Sequence, residues 1–269
     1  MQGSFGGQVN IYLGKCFRLF KNEKTWKSFI GTVIIAVLVC FVTGEEMFCA
    51  PMPTQKGNFA LASACIWIGI FNSIQSICRE RAIVKREHRT GMMIPAYLTA
   101  HYLYEALLCL AEALIMVVAV YLFNTDVFPE DGVLMPAGLE MFIDYFLILY
   151  SADLLAVMIS CICHSETTAM TVMPFILIVQ LIFAGLIFKL EGFSEAVSTL
   201  TVSRWGLASL CVTTNVNELP SFLPIWEAVE DYEFEVANQL KLWLSLLGFS
   251  VGYGLLSMLI LRGVDHDKR

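Results

Sequence analysis

Six apolar runs constrain this chain before anything else does: residues 26–43, 59–77, 95–123, 138–163, 169–188 and 242–261. About twenty apolar residues cross the ~30 Å of hydrocarbon in a bilayer, and there each backbone polar group must be paired inside its own segment, as a helix pairs it. The expected fold is therefore all-α: a polytopic membrane protein with six transmembrane helices. Composition agrees. Only 15% of the residues are charged, against about 25% in soluble domains, and the mean hydropathy is +0.69.

The segments between the runs differ sharply. Glu45, Glu46, Pro51 and Pro53 read as a short loop, and so do Asp126, Pro129, Glu130 and Asp131. HSETT, residues 164–168, separates the fourth and fifth runs by a tight polar turn. Residues 189–241 form a large loop of mixed character between runs five and six, and RGVDHDKR closes the chain. Within the large loop, LEGFSEAVSTL and SRWGLASLC have apolar residues at helical spacing but are too short to span. They read as a re-entrant helix pair, and the acidic WEAVEDYEFEVANQ reads as solvated.

The start, residues 1–7, is Gly-rich and reads as a linker, and the first 25 residues lack the apolar core and cleavage site of a signal peptide. Residues 8–24 mix Ile11, Leu13, Phe17, Leu19 and Phe20 with Lys15, Arg18, Lys21 and Lys24, the pattern of an amphipathic helix lying in the membrane interface. Between runs two and three, CRERAIVKREHRTGMM packs Arg79, Glu80, Arg81, Lys85, Arg86, Glu87 and Arg89 into a charged loop, the hairpin 79–94. Placing both termini in the cytoplasm puts all of the 17 Lys and Arg there except Lys56, Lys189, Arg204 and Lys241. That is the orientation the positive-inside rule selects.

Candidate chemistry is confined to a few residues. His101, Glu105 and Glu112 share one stripe of the third run, with Tyr97, Tyr104 and Leu108 on or near it. Ionisable groups inside a span face the bundle interior or a water-filled path. Two readings stand: a polar relay beside a substrate cavity, or a clamp between helices with Glu105 paired to a basic loop residue. In the fourth run, Asp144 and Asp153 are nine residues apart and face opposite sides. Asp144 is expected near the outer face and solvated, whereas Asp153 is deeper and needs a partner. Gly248-x-x-x-Gly252 is expected to serve packing within the chain, and Pro174 to kink the fifth helix.

Several classes find no support. The chain has no P-loop, no H-E-x-x-H and no G-x-S-x-G, and its four histidines have no metal spacing. Of the nine cysteines, Cys40, Cys65 and Cys109 lie inside apolar runs, where Cys acts as a small hydrophobe, and Cys161-x-Cys163 is not metal spacing. Cys49 and Cys211 fall in two expected external loops, where a bridge is open but not required. The short basic loop alternates with acids beside a membrane, so no nucleic acid is expected.

The order of parts resembles the membrane domain of type-2 ABC exporters of the G-subfamily architecture. RERAIVKREHRTGMMIPAYLTAHYLYE is similar to the family's RER…G…AYxxAKxxxE/D segment. LLAVMISCICHSETTAMTVMPFILIVQLIFAGLIF resembles its GLxISxxxxxxxxAxxxxPxxxxxQxxFxG passage, and SRWGLASL its xRYGFxAL. The likeness runs over nearly the whole chain from Gln8. It is closest to bacterial polypeptides that also carry a forkhead-associated domain and an ABC ATPase. The family's Lys is His101 here, and its frequent Gly near the end of the fourth span is absent, with Ala156 and Val157 there.

The resemblance implies a single membrane domain over residues 8–269 that forms half of an export pathway in the plasma (inner) membrane. Residues Arg79–Arg89 would couple to a nucleotide-binding domain, fused or separate. Gln8–Lys24 would be the connecting helix, and the turn around Glu166 the second contact. His101, Glu105, Glu112 and Asp153 would form the intramembrane relay, and Phe183, Ala184 and Gly185 would lie at the outer gate. The chain itself would bind no cofactor and hydrolyse nothing. ATP and Mg would sit on the ATPase, and a second copy or a relative would complete the pore. A membrane-embedded enzyme, or an ion-coupled transporter, using the carboxylates of spans three and four are the competing readings.

Overall fold

The computed structural model describes residues 4–22, 25–44, 46–188, 190–221 and 226–263. Lys24, Glu45, Lys189, the first three residues of the expected linker and the charged tail from residue 264 lie outside these.

Among the described residues there are ten α-helices: α1 (Phe5–Asn22), α2 (Ser28–Thr43), α3 (Pro51–Ser73), α4 (Ser76–Arg89), α5 (Ile94–Phe123), α6 (Ala137–Ile162), α7 (Glu166–Ile182), α8 (Phe193–Ser198), α9 (Val202–Thr213) and α10 (Val236–Leu261). No strand occurs among them. The stretches Pro51–Arg89, Ile94–Phe123, Ala137–Ile162 and Val236–Leu261 are long and apolar enough to cross a membrane. Ser28–Thr43 and Glu166–Ile182 are apolar but shorter. The protein is an all-helical, polytopic membrane protein.

α6 is the axis of the bundle. It packs against α3, α5, α9 and α10, and Tyr145, Ile148, Leu149, Ala152, Ala156 and Val157 on it are fully buried. Its apolar residues run all round the helix, as a helix enclosed by others requires. Gly69 allows α3 to approach it closely: a Cβ there would lie 2.5 Å from the Leu149 carbonyl oxygen. α2 leans on α3 and α5, and α1 lies along α5. α7 touches mainly α3 and leaves Phe175, Ile178 and Val179 exposed.

Several expectations change. The charged segment 79–94 is not a loop through its length, because residues 76–89 form α4. Its buried stripe of Ile77, Cys78 and Val84 has helical spacing, and only the turn after it is irregular, with Gly91 at φ 105°. The second helix starts at Pro51, eight residues before the apolar run, since proline is tolerated in a first turn. The fifth helix stops at Ile182, and Gly185 takes φ 88° in the segment that follows. Gly248 and Gly252 do not pack within the chain: a Cβ on either would meet nothing, while Gly254 lies against Tyr102. The helix expected from Gln8 already begins at Phe5, and no disulfide joins Cys49 to Cys211.

Candidate functional site

The charged residues of α4 sort onto two faces. Arg79, Ala82, Ile83, Arg86 and Arg89 are exposed, at spacings of three, four, seven and ten that share one side of a helix. The acids turn inward. Glu80 accepts from Lys15 Nζ of α1 at 2.8 Å and from Tyr97 OH of α5 at 2.9 Å. Glu87 accepts from Tyr12 OH at 2.9 Å. Burial and these two acids push the Tyr12 phenol pKa upward. A sequence that reads as mixed charge thus presents a basic and apolar face outward.

α4 is fixed to the bundle by donors and acceptors at its ends. No side chain of its own caps its first turn. Instead Ser160 of α6 accepts from the backbone N–H of Ile77 and Cys78, at 3.1 and 3.0 Å. Two of the four donors that any helix start leaves open are satisfied in this way. Arg81 Nη1 donates to the Cys161 and Cys163 carbonyls at 2.6 and 3.2 Å, capping the end of α6 where the helix dipole is negative. At the far end of α4, Gln8 of α1 donates to Gly91 O and accepts from Met93 N–H. Arg81 also brings α4 beside the turn that enters α7. There Ser165 caps the helix by accepting from Thr168 N–H at 3.2 Å, and Glu166 is exposed.

The residues expected to form a relay are all buried. His101 Nε2 lies 4.0 Å from Cys16 Sγ and its ring meets Tyr97. Burial, with Glu105 nearby, pushes the Cys16 thiol up to about 12, so it is neutral near pH 7. His101 and Glu105 line a cavity of about 210 Å³ between α1, α3, α4 and α5. Glu105 lies beside Ser73 and Asp153 and shares the cavity lining with Arg79. Ser73 donates to Asp153 Oδ1, while Asp153 Oδ2 has no hydrogen-bond partner in the structure. Glu112 accepts from Asn72 Nδ2 at 2.8 Å and Thr32 Oγ1 at 3.2 Å, joining α5 to α3 and α2, and its Oε2 has no such partner. Glu105 and Asp153 thus meet through Ser73. Glu112 connects to them through the neighbouring Asn72, and His101 stands at the cavity end.

Asp144 is not solvated. It is fully buried and accepts from Ser209 Oγ at 2.6 Å, Thr213 Oγ1 at 2.7 Å, Trp243 Nε1 at 2.6 Å and Gln239 Nε2 at 3.1 Å. These donors come from α9 and α10, which fold over the start of α6 and exclude water. The sequence held a signal for this knot: Ser209/Thr213 and Gln239/Trp243 are both i, i+4 pairs, each on one helix face.

Phe183, Ala184 and Gly185 follow α7 at this same end. Thr201 Oγ1 donates to Phe183 O, and Ser203 N–H to Gln180 Oε1, tying the end of α7 to the start of α9. Ala184 and Gly185 line a second cavity of about 180 Å³ with Arg204 and Asp231, which pair at 3.1 Å.

Residues 8–214 match the family model described as ABC-2 type transporter. The chain is also 24% identical over 225 residues to an ABC transporter ATP-binding/permease protein of Mycobacterium tuberculosis. That alignment covers 79% of this chain but 26% of the relative, so the chain spans about a quarter of that protein's length.

Proposed function

This chain belongs to the ABC-2 type transporter family, and on that premise we propose that it is the membrane half of an ATP-driven exporter, coupled to a nucleotide-binding domain through α4. The observation that carries the proposal is the exposed face of α4, where Arg79, Arg86 and Arg89 flank Ala82 and Ile83 while Glu80 and Glu87 are spent inside. With both acids turned inward, that face keeps one sign of charge beside the turn that enters α7, open to a soluble domain of opposite charge. ATP and Mg sit on the partner domain, fused or separate, and this chain binds no cofactor.

In this reading α2, α3, α5, α6, α7 and α10 are the six spans, and residues 8–269 work as one membrane domain. Both termini and α4 face the cytoplasm at the plasma (inner) membrane. The Glu166 turn, bridged to α4 by Arg81, is the second contact. Closure of two ATP-bound domains pulls α4, and its links to α1, α5 and α6 pass the displacement to the spans. Two-state packing of this kind is how a small local shift becomes a large one. A second copy completes the pathway along the open side of α3 and α7, where Trp67, Phe71, Phe175 and Ile178 are exposed. His101, Glu105, Glu112 and Asp153 form the polar belt that lets α3, α5 and α6 shift in register, and Phe183, Ala184 and Gly185 bound the outer gate.

The test is a coupling measurement on the reconstituted transporter. Arg86→Glu reverses the charge of an exposed α4 residue, so the membrane domain should keep its unfolding temperature while ATP-dependent transport falls about tenfold or more, the effect of putting a like charge or an unpaired one into a contact. Unchanged transport in both Arg86→Glu and Ile83→Asp would contradict the proposal.

A further inference from the structure

α1 is satisfied on one side only. Its inner side is held by ring contacts of Phe17 and Phe20 with Tyr104, at 5.8 and 6.4 Å, and of Phe20 with Phe29 of α2, at 6.2 Å. Its outer side carries Ile11, which is 65% exposed, and the cations Arg18 and Lys21, with half-exposed Phe17 at the edge between the two sides. After α1 the chain turns through exposed Trp26 and Lys27 into α2. The outward stripe of α2 is Ile30, Ile34, Leu38 and Phe41, an uninterrupted apolar track that begins just past the cations.

The elbow carries a net positive charge. The described residues from 4 to 44 contain no acid, and residues 23 and 24, a Glu and a Lys, add no net charge. The acids that meet α1, Glu80 and Glu87, do so through Lys15 and Tyr12 on its inner side. Along the chain, two cations, an interfacial tryptophan, a third cation and an apolar track follow one another, matching in kind the phosphate, glycerol and acyl chain of a phospholipid.

We propose that the α1–α2 elbow is a binding site for an anionic phospholipid of the surrounding bilayer. Arg18, Lys21 and Lys27 hold the phosphate and headgroup, Trp26 packs at the glycerol level, and the acyl chains lie along the α2 stripe. A zwitterionic lipid carries its own cation and gains less from three positive side chains, whereas each Lys or Arg near an anionic surface adds to the attraction. Lipid also covers Ile11 and Phe17, which water would leave exposed at a cost. The site needs only that α1 lies at a membrane surface, so it stands or falls separately from coupling through α4.

Trp26 is a built-in reporter. The protein in its full polypeptide is reconstituted with brominated phosphatidylglycerol or brominated phosphatidylcholine. Trp26 quenching is taken as the difference from Trp26→Phe, which removes one of the five tryptophans. The brominated anionic lipid should quench at about one third of the mole fraction or less, a preference that shrinks in ~1 M salt where the Debye length falls to about 3 Å. The combined Arg18→Gln, Lys21→Gln, Lys27→Gln variant should lose the preference but keep quenching by the zwitterionic lipid, which also reports an elbow still seated in the bilayer. Equal quenching by the two lipids in the unaltered protein would overturn the proposal. So would a preference that survives in the triple variant.

Discussion

At one end of α6 a single carboxylate, Asp144, takes four hydrogen bonds from α9 and α10. At the other end, Ser160 and the carbonyls of Cys161 and Cys163 hold α4, and α4 hands its two acids to α1 and α5 through partly exposed contacts. The difference is one of burial and donor supply. A dry carboxylate with four donors is costly to disturb, because removing it strands every donor at once. Apart from the buried Ser160 cap, the α4 contacts are fewer per group and closer to water, where charge pairs contribute little. One end is built to stay closed, while the other can shift as a body without much loss. Between them lies a third condition, in which Asp153 Oδ2 and Glu112 Oε2 are buried without a hydrogen-bond partner.

Substitutions should rank these ends in order. Asp144→Ala should have the largest effect, about 3 kcal/mol or more of lost stability, since it leaves buried donors of α9 and α10 unpaired. Thermal unfolding in detergent checks it, and a loss below about 1 kcal/mol would erase the contrast between the ends. Ser160→Ala should come next, at about 1–2 kcal/mol, the worth of a helix cap. Its signature is local, with faster amide exchange at Ile77 and Cys78 while α9 and α10 stay protected.

Lys15→Ala should be milder still. The Lys15–Glu80 pair is partly exposed, with side chains 27% and 14% accessible, so its loss should be within about 1 kcal/mol. The same substitution should nevertheless reduce transport per ATP hydrolysed, because α1 and α4 would no longer move together. The smallest effect concerns Cys16. A thiol held at about 12 is raised above its ordinary value, so the stability it contributes is present below about pH 9 and is lost as pH rises from there towards 12. Maleimide should leave it unlabelled at pH 7 while exposed Cys49 reacts.

The sequence was most legible where structure is set by length and local pattern. α5, α6 and α10 begin within six residues of their apolar runs and end within one because a long apolar run has few alternatives in a bilayer. The sequence of α4 reads as a loop because seven charges in eleven residues mask a buried stripe of only three, Ile77, Cys78 and Val84. Pro51, Pro53 and Gly57 hid the start of α3, although a proline in a first turn costs a helix nothing. The position of Asp144 along the chain points to a solvated site near the outer face. What buries it is the return of α9 and α10, some sixty-five to ninety-nine residues later, and no local pattern carries that. The stripe of His101, Glu105 and Glu112 is visible from spacing, but the residues that meet its acids, Thr32, Asn72 and Ser73, are polar residues of other apolar runs.

The most direct measurement of the coupling account places a photo-crosslinking residue at Ile83, which is 39% exposed in the middle of the outer face of α4, in native membranes. Capture of an ATP-binding domain, from the same polypeptide or another, is the predicted result, and the yield should fall with Arg86→Glu. Capture of lipid alone at Ile83, and again at Ala82 and Arg86 on the same face, would contradict it.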